Sequence, residues 1–333
     1  VIYLLAVPAL ALVAGLLYLA SLPGELAVRR SLFMRVERRL VFDRIRDLPG
    51  WKDWSPWLIH EPETRLTYSP DPQAEGGSYS WDGQHIGAGT LTNCRFEPPA
   101  RIEQRIGFVR PFKSSSRVVW ELAERDGGTE VSWSMEGPMP FLFRPLIAQM
   151  TPMIEKDYDL GLALLRGVLD PQAERPAIRF VGPVERPETT ALVISFAGGL
   201  QALIQAMQEG FPRLLGQVRG AGHEPAGPPL AAYGKTDLKA LRFECDMALP
   251  VTEYCPSGPF AQKRLPGGPH FAVELSGSYA FLPLVWHSAM GHLRMRKLKV
   301  DRTRPCLEIY ENDPRAVAHS NEIRTRLEIP LRR

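Results

Sequence analysis

From residue 2 to residue 22 the chain carries no charged side chain. At 1.5 Å per residue a helix over that stretch would reach about 30 Å, the thickness of a bilayer's hydrocarbon core. The pattern predicts a transmembrane anchor over 1–24. A secretory signal peptide is the alternative, but this apolar run is longer than one needs, and no clear small-x-small site precedes the first charge, Glu25. The arginines that follow, Arg29, Arg30, Arg35, Arg38 and Arg39, bear on sidedness without deciding it. Beyond the anchor the period changes. Val28, Leu32 and Met34 share one face at period two, so 26–34 reads as a strand; Val41, Ile45 and Leu48 recur at i, i+4 and i+7 and predict a helix stopped by Pro49-Gly50. Alternation then returns in Tyr79 and Trp81; in Ile102, Gln104, Ile106 and Phe108; in Val118, Trp120 and Leu122; and in Val131, Trp133 and Met135. These predict antiparallel strands with one buried face, with a hairpin turn at Asp126-Gly127-Gly128. A helical stripe of Ile154, Tyr158, Gly161, Leu165 and Val168 closes the segment. Pro171, Pro176, Pro183 and Pro187, set among charges, read as an interdomain linker over 171–187.

The segment 25–170 resembles the START-like (SRPBCC, polyketide-cyclase-like) helix-grip family. The resemblance rests on Arg30-Ser31 in the opening strand, the helix around Val41-Phe42, the run Trp51-Lys52-Asp53-Trp54-Ser55-Pro56-Trp57, the segment from Gly83 to Gly89, and Asp159-Leu160-Gly161-Leu162 in the last helix. It implies an antiparallel sheet gripping a long helix, with an apolar cavity between them. Tyr79, Trp81, Phe108, Trp120 and Trp133 would then line that cavity, unless they are ordinary core.

Residues 188–333 repeat internally at an offset near 80. Ile194-Ser195-Phe196-Ala197-Gly198 corresponds to Val273-Glu274-Leu275-Ser276-Gly277, Leu230-Ala231-Ala232-Tyr233 to Leu307-Glu308-Ile309-Tyr310, and Asp246-Met247-Ala248-Leu249-Pro250 to Arg326-Leu327-Glu328-Ile329-Pro330. Each copy reads as strand, helix, strand, strand. With Leu265-Pro266-Gly267-Gly268, Gly277-Ser278-Tyr279 and Tyr310-Glu311-Asn312-Asp313-Pro314, this segment resembles the GyrI-like effector-binding domain, related to the ligand-binding halves of multidrug-sensing regulators. The resemblance implies a groove for a small molecule. The expected fold class is α+β: an N-terminal transmembrane helix, a helix-grip domain and a duplicated GyrI-like domain.

Composition narrows this reading. The 333 residues are 44% hydrophobic and 23% charged with a net charge of +3, which excludes disorder and gives nucleic-acid binding little support; the densest basic run, Arg294, Arg296, Lys297, Lys299, Arg302 and Arg304, comes at a helix end and reads as a solvated face over a phosphate- or lipid-contacting patch. Cys94, Cys245, Cys255 and Cys306 form no C-x-x-C pair, and His287 and His292, five apart, lie about 140° apart on a helix. No cofactor or metal is expected.

Alternation places Leu327 and Ile329 under the helices, and so predicts a groove on the opposite face lined by Asp246, Arg326, Glu328, Glu308 and Tyr310, with Tyr279 and Trp286 as walls. The family resemblance implies a buried glutamate on the last strand, where Arg326 stands instead. Arg326 is open to two readings, an ion pair with Asp246 or a receptor for an anionic ligand. Glu308 with Tyr310 could form a general acid–base pair. Three functions follow: a non-catalytic, membrane-anchored binder of an apolar or amphipathic small molecule at a bacterial-type inner membrane, held in the bilayer by 2–22; a hydrolase or cyclase using Glu308 and Tyr310; or an accessory subunit of a larger membrane protein complex.

Overall fold

The computed structural model describes residues 2–332 apart from 238, 239, 253 and 254, with side-chain surroundings from Leu12 onward. It is α+β, built on two antiparallel sheets, and divides into two compact units, Val1–Arg175 and Pro176–Arg333.

The first unit contains α1 (Ile2–Ser21), β1 (Glu25–Met34), α2 (Arg38–Arg46), β2 (Arg65–Tyr68), β3 (Ser78–Asp82), β4 (Ala88–Glu97), β5 (Arg101–Arg110), β6 (Ser114–Arg125), β7 (Gly128–Pro138) and α3 (Ile147–Leu169). Its seven strands run in the order β1-β7-β6-β5-β4-β3-β2, so the first strand closes onto the last. The alternating apolar faces of these strands turn toward α3, which buries Tyr158, Leu162 and Leu165. At Gly161 the helix comes too close to the sheet for a side chain: a Cβ there would lie 2.8 Å from the Trp133 ring and 3.1 Å from Pro56. Between helix and sheet, where a cavity was expected, the tryptophans fill the space themselves. Trp133 is stacked between Trp120, at 4.3 Å, and Tyr158, at 3.8 Å, and the rings of Trp51, Trp54 and Trp57 meet it edge-on. Tyr79, Trp81, Trp120 and Trp133 are buried and Phe108 packs against the same cluster. A buried polar chain, Trp120 Nε1 to Gln104 Oε1 (2.9 Å) and Gln104 Nε2 to Asn93 Oδ1 (2.8 Å), ties this core across β4, β5 and β6.

No helix among the described residues is long and apolar enough to cross a membrane. This overturns the expected transmembrane anchor over 1–24, together with the single-pass inner-membrane location and the bilayer contact inferred from it.

The second unit contains β8 (Ala177–Arg186), β9 (Thr189–Gly199), α4 (Leu200–Gly220), β10 (Leu230–Asp237), β11 (Arg242–Pro250), β12 (Ala261–Leu265), β13 (Gly268–Ser276), α5 (Leu282–Met295), β14 (Cys306–Tyr310) and β15 (Arg324–Pro330). The order β12-β9-β11-β10-β14-β15-β13-β8 shows two strand-helix-strand-strand copies, β9-α4-β10-β11 and β13-α5-β14-β15, joined where β10 pairs with β14. Each copy's leading strand crosses to the other: β8 pairs with β13, and β12 with β9. Most of the stretch expected to be a linker, 171–187, is therefore strand. Its proline misleads because β8 lies at the sheet edge, where a missing N–H costs no ladder bond. Gly182, at φ +106°, supplies the backbone turn beside the register shift at Ala272/Val273.

Arg304 ties down the end of this unit. Its guanidinium pairs with Asp301 (2.9 Å) and donates to the carbonyls of Gly267 (2.8 Å), Pro269 (3.1 Å) and Leu331 (2.7 Å). A lysine offers one point charge in place of this planar fork. Arg304→Lys should cost about 2–3 kcal/mol in urea denaturation; a change within ±0.5 kcal/mol would show that the clamp is dispensable.

Candidate functional site

Register decides which side chains meet. Residues directly opposite in an antiparallel pair share a face. Glu308 lies opposite Ala231 on one side and Leu327 on the other, and Tyr310 opposite Thr325. Ala231 is in turn opposite Met247, and a Cβ on Gly210 of α4 would lie 3.1 Å from the Met247 sulfur. Glu308 and Tyr310 therefore face the helices, on the same side as Leu327. Asp246, Arg326 and Glu328 point the other way, as alternation predicts for their own strands. The β14–β15 register, which alternation within one strand does not supply, is what puts Glu308 and Tyr310 on the helix face instead of in a groove with Asp246, Arg326 and Glu328.

Glu308 is 4% exposed. Its carboxylate accepts from Trp286 Nε1 on α5 (2.8 Å) and from the Tyr310 hydroxyl (2.7 Å), and the Tyr233 hydroxyl bonds to it as well. Burial pushes its pKa up, against the opposing pull of these three aromatic donors; no cation contributes. The same burial, with the Glu308 charge beside it, raises Tyr310 far above the usual phenol range and raises Tyr233 also. Around them Tyr279 meets the Tyr310 ring edge-on at 5.6 Å, Phe211 of α4 does so at 5.4 Å, and the Met207 sulfur lies 3.5 Å from the Tyr310 hydroxyl. Tyr233, Tyr279 and Trp286 are partly buried and form the outer wall.

The duplication explains the convergence. Ala231 and Glu308 are repeat equivalents and also direct partners in the β10–β14 ladder, so the internal symmetry axis passes between them. Tyr233 and Tyr310, equivalent by the same repeat, approach one point from opposite sides. Only one copy supplies the carboxylate. Tyr233 was not singled out from the sequence, although its match to Tyr310 carried the signal; Met207 and Phe211 carried none beyond their place on an amphipathic helix.

The other expected residues are satisfied elsewhere. Asp246 accepts from Lys263 (2.8 Å) and Ser195 (2.6 Å), while Arg326 pairs with Glu328 (2.9 Å) and Glu274 (3.4 Å). The Asp246–Arg326 pair does not form, because β10 and β14 lie between their strands, roughly 14 Å of sheet. Each instead meets a charge from nearer by: Lys263 comes from β12, Glu274 from β13 directly opposite Arg326, and Glu328 from the same strand as Arg326. His292 stacks on Phe180 at 4.1 Å. Among the described residues no group of three His, Cys, Asp or Glu side chains is placed to hold a metal. Cys245 and Cys306 flank Tyr233 on the Glu308 face, and burial pushes their thiols up to about 12 and about 11. A cleft of about 460 Å³ beside Gly268, Asp301 and Arg304 lies away from Glu308.

Comparison with known proteins places a family match on this unit. Residues 184–332 match the GyrI-like small molecule binding domain. No curated protein matches the chain. Solved structures similar to it include protein CV1439 from Chromobacterium violaceum, 15% identical over 44% of this chain and 98% of its own, with a TM-score of 0.33. Protein MLL2253 from Mesorhizobium loti is 13% identical over 44% and 98%, at 0.35. The Aha1 dimer from Colwellia psychrerythraea is 9% identical over 43% and 96%, at 0.33.

Proposed function

We propose that the second unit binds an amphipathic small molecule bearing a positive charge, with Glu308 as counter-ion and Trp286, Tyr233, Tyr279 and Tyr310 as walls. One observation carries this reading: Glu308 is buried with aromatic donors alone, whereas Glu328, Glu274 and Asp246 on the same sheet are each paired with a basic side chain. A buried carboxylate without a cation is costly, and an incoming cation repays that cost. Aromatic faces add cation–π attraction and exclude water. The partly buried Trp286 and Tyr279 are the side chains that must move aside for entry.

Binding without turnover fits the chemistry of the shell. Burial holds the Tyr310 proton and both thiol protons in place at neutral pH, so neither a phenolate nor a thiolate nucleophile is on offer. Stacked tryptophans occupy the space expected for an apolar guest in the first unit, which supports reading the ligand into the second.

Phenyltrimethylammonium and its neutral carbon isostere, tert-butylbenzene, separate charge recognition from apolar burial. Calorimetric titration of the intact chain should find the cation bound more than tenfold tighter. Equal affinity, or preference for the hydrocarbon, would remove Glu308 from the recognition.

A further inference from the structure

We infer that Thr325 selects among the cations bound at Glu308, favouring those that carry a hydroxyl or amino group about 5 Å from the charged centre. The inference rests on the Glu308 reading above and adds a second polar contact to it. Thr325 is fully buried, and its hydroxyl has no hydrogen-bond partner among the described residues. Other buried threonines are satisfied: Thr129 donates to the carbonyl of Val36 at 2.8 Å, and Thr64 to that of Glu61 at 2.7 Å. Leaving a hydroxyl buried and unpaired costs about 1–3 kcal/mol, and valine would fill the same shape in a strand without that cost. A retained, unpaired hydroxyl therefore calls for a partner from outside the chain.

Its position says which partner. Thr325 is opposite Tyr310 on β14 and opposite Leu275 on β13, so it shares the helix-facing side with the Glu308 shell. Glu308 is opposite Leu327, two residues along, which makes Glu308 and Thr325 diagonal neighbours with backbones about 7–8 Å apart. With the carboxylate and the hydroxyl both reaching inward from that separation, a ligand touching both presents its charge and its second polar group about 5 Å apart. Threonine both donates and accepts, so a hydroxyl or an amine serves.

Phenyltrimethylammonium and 3-hydroxyphenyltrimethylammonium differ by one hydroxyl at about this distance. Titrated into the full chain, the hydroxylated cation should bind about fivefold tighter, the ratio that corresponds to one net hydrogen bond. Thr325→Val should bring the ratio to about one, and Thr325→Ser should retain the preference. Equal affinities in the unsubstituted protein, or a ratio that survives in Thr325→Val, would overturn the contact. The unsubstituted protein tests it even if the valine variant does not fold. If neither cation binds, or if both bind unchanged in Glu308→Gln, the Glu308 reading falls and this inference with it; if both bind through Glu308 but equally, only the Thr325 contact falls.

Discussion

Glu308→Gln is expected to weaken phenyltrimethylammonium binding by about a hundredfold or more, the range for removing one partner of a desolvated charge pair. The amide keeps the shape of the carboxyl, so the loss reads charge and not packing. The free protein should respond in the opposite sense. The carboxyl is buried with no cation to offset it, and replacing it with a neutral group relieves that penalty while Trp286 Nε1 can still donate to the amide oxygen and the Tyr310 hydroxyl, which bonds the other carboxylate oxygen, can turn to accept from the amide N–H. A variant that melts higher yet binds worse is the signature of a site kept for its ligand. Unchanged affinity in Glu308→Gln would refute the charge reading.

The same carboxyl sets the pH dependence. Burial raises its pKa above the ordinary carboxylate range, and a cation needs the ionised form. Affinity should therefore rise with pH through the folded-state pKa and level off above it, while Glu308→Gln stays flat. Stability runs the other way. The folded chain holds this proton more tightly than the unfolded chain, so the contribution is present in full below the unfolded pKa and is lost as pH rises through the folded one. Adding the cation at neutral pH should restore what ionisation removes.

Alternation within each strand was legible in the sequence, and so was the duplication. Leu327 and Ile329 do face the helices, and Arg326 and Glu328 do not. What alternation cannot supply is the relation between strands, because a one-residue change of register moves every side chain to the other face. Glu308 and Tyr310 were thus grouped correctly with each other and wrongly with Arg326 and Asp246. The repeat held the missing constraint: had β10 and β14 been paired about the symmetry axis, Ala231 would have met Glu308 and Tyr233 would have joined the site. β8 was lost to composition, since an edge strand with a glycine and a proline looks like a linker until its partner β13, nearly 90 residues away, is known. The first unit was misread differently. Its inward aromatic residues were identified, but a row of large apolar side chains describes a cavity wall and a filled core equally well, and only packing distances separate the two.

Those distances support the second large expectation, that Trp133→Ala costs about 3–5 kcal/mol in the first unit. Trp133 is 1% exposed and touches Trp120 and Tyr158 face to face and three further tryptophans at their edges, so alanine would leave a void that rings already in contact cannot fill by rotating. The approach of α3 at Gly161 depends on the same ring. A side chain there meets Trp133 at 2.8 Å in the unsubstituted protein, so Gly161→Ala alone should destabilise despite the better helix propensity of alanine. In the double variant Gly161→Ala, Trp133→Ala the closest clash is gone and only Pro56, at 3.1 Å, has to give, so the combined cost should fall short of the sum of the two single costs. Six of the seven tryptophans lie in this unit, at 51, 54, 57, 81, 120 and 133. Tryptophan emission during urea unfolding therefore follows this unit, while cation binding follows the other through Glu308. Strict additivity of the two single costs would mean that Gly161 and Trp133 do not share the contact. A loss below about 1 kcal/mol for Trp133→Ala would mean that the aromatic stack is loose enough to admit a guest after all.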